Sequence, residues 1–144
     1  ERIMVRLIVG QRGKGKTTSI LAHVNEQIKK ADGNIVYLDK SSKHMYDLNN
    51  KIRLIDVSRY PISNSEQFVG FVCGIISQDN DLEQMYFDNF LKIARLGEEA
   101  DDLLTTINEL EGISTKFNVD FYISISANKE DLTEELQDKI LIAL

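Results

Sequence analysis

Residues Val9 to Thr18 read VGQRGKGKTT and follow directly on the apolar run Ile3, Met4, Val5, Leu7 and Ile8. Three glycines, two glycine-lysine steps and paired threonines do not suit the packing of a core. Gly10, Gly15, Lys16 and Thr17 instead satisfy the pattern G-x-x-x-x-G-K-[ST], in which each residue type has a task around a polyphosphate. Glycines let the backbone wrap closely around phosphate oxygens, and the amides of Gly13 to Thr18 are expected to form an anion nest at a helix N-terminus. Lys16 is expected between the β- and γ-phosphates, the Thr17 hydroxyl on magnesium and Thr18 at the α-phosphate. Arg12 and Lys14 add positive charge at the rim. The whole stretch Gly10, Gln11, Arg12, Gly13, Lys14, Gly15, Lys16, Thr17 and Thr18 is therefore the expected nucleotide-binding element, with ATP and Mg2+ as its ligands.

The pattern has meaning only between a strand and a helix, and the flanks supply both. Ile3 to Val9 reads as a strand, and Thr17 to Ala31 carries Ile20, Leu21, Val24 and Ile28 at helical spacing before Asp32-Gly33-Asn34 breaks it. Further along, Ile35 to Asp39 is expected as a strand, Ser41 to Leu48 as a short helix, and Ile52 to Val57 as a strand ending before Pro61. Ser63 or Ser65 is expected to cap a helix with the stripe Phe68, Val69, Val72, Ile75 and Ile76. Leu82 to Asp88 contains a fourth strand, Asp101 to Phe117 a helix and Val119 to Ser126 a fifth strand; Lys129 to Leu136 is expected as a helix and Ile140 to Leu144 as a sixth strand. Strands alternating with helices of this length imply parallel pairing and right-handed crossovers. The expected architecture is a three-layer α/β/α sandwich on a mainly parallel six-stranded sheet.

Size and composition agree with that class. At 144 residues, without a linker, a repeat or a low-complexity tract, residues 1–144 form one expected domain. The apolar share of 42% and charged share of 28% are those of an ordinary soluble protein, and no segment has the length to cross a bilayer. A net charge of −6 offers no basic face for a phosphodiester backbone, which disfavours nucleic acid as a partner. Cys73, the single cysteine, sits in an apolar helical pattern and reads as a small buried hydrophobe. With no secretory leader recognised, a reducing cytoplasm is the expected location.

Magnesium in a phosphate-loop site is steered, through water, by an acidic residue ending a buried strand. Asp39 after Ile35-Val36-Tyr37-Leu38, Asp56 after Leu54-Ile55 and Asp88 after Met85-Tyr86-Phe87 all qualify, and pattern alone does not separate them.

The succession of phosphate loop, NIVYLD, IRLIDVSRYPIS, MYFDNFLKIAR and FNVDFYISIS resembles the ATPase core of the RecA-like P-loop proteins over nearly the whole chain. The resemblance implies a sheet order 3-2-4-5-1-6, makes Asp88 the metal-steering carboxylate together with Thr17, and allows a ring, a dimer or a protein partner. It also implies a glutamate that activates water, yet Asn89 follows Asp88 and the second strand ends Asp39-Lys40-Ser41. Asp39 is then the remaining base, with Lys16 and Asp88 completing the expected catalytic set. Ser126 or Asn128 is the implied γ-phosphate sensor, and Arg53, Arg59 and Arg95 are candidate fingers for a neighbouring subunit. His23 and His44 have no metal-ligand spacing. The function implied is a magnesium-ATP-binding module with slow or partner-stimulated hydrolysis, acting as a motor or switch. Two alternatives remain open: GKGKTT also resembles the loop of ATP:corrinoid adenosyltransferases, and the missing glutamate suits a regulatory subunit that binds nucleotide without hydrolysing it. The partitioning and nitrogenase-iron-protein type of dimeric ATPase is disfavoured because Gln11 stands where that group carries its signature lysine.

Overall fold

A computed structural model describes residues 4–97 and 100–144, the side chains of Ala100 and Asp101 excepted. The expected first residue of the opening strand, Ile3, lies outside the described residues. Six strands, β1 (Val5–Gly10), β2 (Asn34–Asp39), β3 (Arg53–Asp56), β4 (Leu82–Phe87), β5 (Asp120–Ser126) and β6 (Ile140–Ala143), form one sheet. Every pairing between them is parallel, in the order β3-β2-β4-β5-β1-β6. That is the order the resemblance implied. β1, β2, β4 and β5 are buried along almost their whole length, as interior strands of a parallel sheet covered on both faces must be.

The helices are α1 (Lys16–Gln27), α2 (Ser65–Ser77), α3 (Phe90–Ile93), α4 (Ala100–Phe117) and α5 (Glu134–Gln137). Period-two alternation divides the sheet residues between two cores. On one face Ile8, Ile35, Tyr37, Tyr86 and Tyr122 pack with Ile20 and Val24 of α1. On the other, Leu7, Val9, Leu38, Phe87, Ile123 and Ile125 pack with Phe68 and Val72 of α2 and Ile107 and Leu110 of α4. The sheet thus lies between α1 and the remaining long helices.

Several local expectations need correction. The helix expected over Ser41 to Leu48 is only a 3₁₀ turn, Met45–Asp47, because this polar stretch has no apolar stripe to bury. The helix expected over Lys129 to Leu136 is broken into a 3₁₀ turn, Lys129–Asp131, and α5, since Leu132 turns in to the core and Thr133 begins a new cap. The cap of α2 is neither Ser63 nor Ser65 but Asn64, whose side chain accepts from the Gln67 amide at 2.8 Å while the Gln67 side chain accepts from the Ser63 amide at 2.7 Å. Cys73 is an unpaired, half-buried thiol on α2 rather than a fully buried one. The four-residue α3, unforeseen, opens at Asn89, whose left-handed conformation (φ 57°) turns the chain sharply after β4.

Candidate functional site

The parallel sheet ends all its strands on one edge, and the loops leaving β1, β2 and β4 there enclose a cavity of about 570 Å³. Gly13 and Gly15 have φ of 85° and 94°, a left-handed conformation that costs a side-chain-bearing residue about 1–2 kcal/mol. That pair of turns brings the chain around to the start of α1, whose first turn has no side-chain cap and opens on the cavity. Arg12, Gly13, Gly15, Lys16, Thr17 and Thr18 line it. Lys16 is 8% exposed, and its ammonium donates to the Gln11 carbonyl at 3.1 Å. Burial holds its pKa below the usual lysine value, against the pull of the Asp88 carboxylate and with the help of Arg12. Gly10, Gln11 and Lys14 are not part of the lining: Gly10 ends β1 against Leu144, Gln11 faces a neighbouring cavity, and Lys14 is exposed on the rim.

Opposite the loop stand two of the three expected acids. Asp39 and Asp88, each 2% exposed, leave the ends of the adjacent strands β2 and β4 and line the same cavity. Asp88 is held on both oxygens. Thr17 Oγ1 donates to Oδ2 at 3.1 Å and lies 3.4 Å from Oδ1; the Tyr37 hydroxyl donates to Oδ2 at 3.0 Å, and Ser124 Oγ and the Asn89 amide donate to Oδ1 at 2.9 and 3.0 Å. Asp39 is held on one side alone: Oδ1 accepts from the Lys40 amide at 2.7 Å, and Oδ2 is buried without a hydrogen-bond partner. Burial first, and the neighbouring Asp88 charge second, push its pKa up to about 6. An orphaned carboxylate oxygen, an ammonium and a bare helix start around one cavity are a donor and acceptor set that a cation-bound polyphosphate would satisfy.

The third acid, Asp56, is elsewhere. Its side chain accepts from the Ser58 amide and caps a 3₁₀ turn, Val57–Arg59, beyond the edge strand β3. Ser126 is exposed and lines the cavity, whereas Asn128 donates to Asp131 at 3.3 Å and lies outside the lining. Arg95 Nε donates to the Ile62 carbonyl of its own chain at 3.0 Å; Arg53 and Arg59 are exposed away from the cavity. His23 is bonded beneath α1 to the Tyr86 hydroxyl at 2.9 Å, while His44 lines the cavity and pairs with Asp47 at 3.1 Å. Among the described residues no group of three or more His, Cys, Asp or Glu side chains is placed to hold a metal by itself, and no helix is long and apolar enough to cross a membrane.

Sequence reasoning missed Tyr37, the partner of Asp88 across the sheet, and the basic lining from the loop after β2, Lys40 and Lys43. It also assigned no role to Ser124, which is fully buried against Asp88. No protein-family model matches the chain, and no curated protein matches it.

Proposed function

We propose that the chain is a magnesium-ATP-binding module of the RecA-like P-loop type, with slow or partner-stimulated hydrolysis. The observation that carries the reading is the meeting of Thr17 with Asp88, 71 residues apart, beside the buried Lys16 ammonium. A serine or threonine after the loop lysine and an acid ending a buried strand are the two protein contributions that such a site makes to magnesium. Here they already touch.

In this reading the amides from Gly13 to Thr18 receive phosphate oxygens, and Lys16 exchanges the Gln11 carbonyl for the β- and γ-phosphates. Thr17 directly and Asp88 through water would hold magnesium, which when bound neutralises charge developing on the phosphate oxygens. Asp39 accepts the proton of the attacking water: it lines the cavity, its Oδ2 is unpartnered, and its pKa is pushed up to about 6. Aspartate is one methylene shorter than glutamate, which agrees with slow turnover until a partner tightens the site.

Phosphate release from magnesium-ATP, measured beside binding of a fluorescent ATP analogue, tests the proposal. Release is expected, and Lys16→Ala is expected to weaken binding about 10- to 100-fold and abolish release. Absence of binding by the unaltered chain overturns it. A non-hydrolysing regulatory subunit is the second reading, favoured by the absence of any glutamate from the cavity lining among the described residues. Tight binding with no release at any protein concentration selects it.

A further inference from the structure

The three neighbouring strands β2, β4 and β5 carry one recurrent local pattern towards their C-terminal ends: Tyr37-Leu38-Asp39, Tyr86-Phe87-Asp88 and Tyr122-Ile123-Ser124. The register aligns them, since Tyr37 pairs with Tyr86 and Tyr86 with Tyr122, and Leu38 pairs with Phe87 and Phe87 with Ile123. Residues two apart on a strand share a face. A rung of stacked phenols, with ring centroids 6.1 Å and 4.7 Å apart, therefore runs beneath a rung of Asp39, Asp88 and Ser124 on the face covered by α1.

The two rungs are joined at Asp88. Tyr37 is completely buried and donates its hydroxyl to Oδ2, while Ser124, also completely buried, donates to Oδ1. Neighbouring strands thus grip the carboxylate of the middle strand from both sides. Two buried hydroxyl donors on opposite oxygens fix the rotation of the carboxylate, and they leave to Thr17 the approach from α1. Tyr86, by contrast, directs its hydroxyl to Gln84 and His23 and takes no part in the grip.

We propose that Tyr37 and Ser124 are positioning residues that orient Asp88 towards the Thr17 side of the cavity and so set the affinity of the site for its divalent cation. The inference rests on the nucleotide reading for its cation, and on the observed contacts alone for the grip. Tyr37→Phe and Ser124→Ala each delete one hydroxyl. The probe is magnesium, titrated at fixed fluorescent ATP analogue, with affinity for the same analogue in excess EDTA as reference. Each variant is expected to raise the magnesium concentration at half-effect about five- to tenfold while leaving the EDTA affinity within about twofold. A loosened core would weaken both affinities together; an unshifted magnesium dependence in both variants, beside a shifted one in Asp88→Asn, overturns the proposal. Should Tyr37→Phe fail to fold, Ser124→Ala carries the same readout.

A second measurement needs no nucleotide. Denaturant unfolding of Tyr37→Phe, Asp88→Ala and the double variant is expected to show coupling of at least about fivefold in the unfolding constant. Additivity overturns the grip itself. If the unaltered chain binds no nucleotide, the functional reading falls, and this cycle decides on its own whether Tyr37 holds Asp88.

Discussion

At the scale of single residues, Asp39 is where stability and the proposed chemistry oppose each other. In an unfolded chain its carboxyl would titrate near 3.8, and in the fold it is pushed up to about 6. Folding therefore favours the protonated form, so the contribution is fully present below about pH 3.8 and is lost as pH rises through about 6. Above that, the fold carries an unfavourable buried charge next to Asp88. Asp39→Asn keeps the size and removes the charge, so it is expected to raise unfolding free energy at pH 7.5 by on the order of 2 kcal/mol and to change it little at pH 4. Urea unfolding at the two pH values checks this; an equal effect at both would show that charge is not the cause. The same substitution is expected to abolish phosphate release with nucleotide binding retained.

Element-scale signals were unevenly legible. The strands were placed within a residue or two because they are largely apolar runs bounded by polar residues or glycine, and the turn before α1 because positive-φ glycines have few substitutes. The short polar helices were overcalled, since periodicity without an apolar stripe carries little energy. The cap of α2 was misplaced by one residue: Ser63 and Ser65 were the expected caps, but it is Asn64 between them whose side chain reaches the third amide beyond it. Asn64→Ala is expected to cost about 1 kcal/mol, and Ser65→Ala a few tenths at most, in thermal or urea unfolding. Equal losses would mean that the cap is shared.

At the scale of the whole molecule, the site depends on a sheet held rigid from behind. Phe68 of α2 is completely buried and packs edge-on against Phe87 and Phe90, the residues that flank Asp88 and Asn89 in sequence. Phe68→Ala is expected to cost about 3–5 kcal/mol of stability, measured by urea unfolding. It is also expected to weaken nucleotide binding in proportion to the loss of folded protein, without the selective magnesium shift of Tyr37→Phe. A selective shift in Phe68→Ala would place part of the orienting force behind the sheet.

The sequence by itself determined the strand and helix alternation, the parallel sheet and the glycine-rich turn before α1, because these depend on periodicity, residue size and backbone freedom, all local properties. Its strand-end pattern left Asp39, Asp56 and Asp88 equivalent, since each ends an apolar strand in the same way, and Asp88 was singled out by resemblance alone. The tertiary structure separated them physically. Strand order put β2 and β4 side by side and β3 at the edge, so Asp39 and Asp88 share a cavity with Lys16 and Thr17 while Asp56 caps a turn outside it. The alignment of Tyr37, Tyr86 and Tyr122 was written in the chain three times, but its meaning required the register, a long-range property that no stretch of residues carries alone.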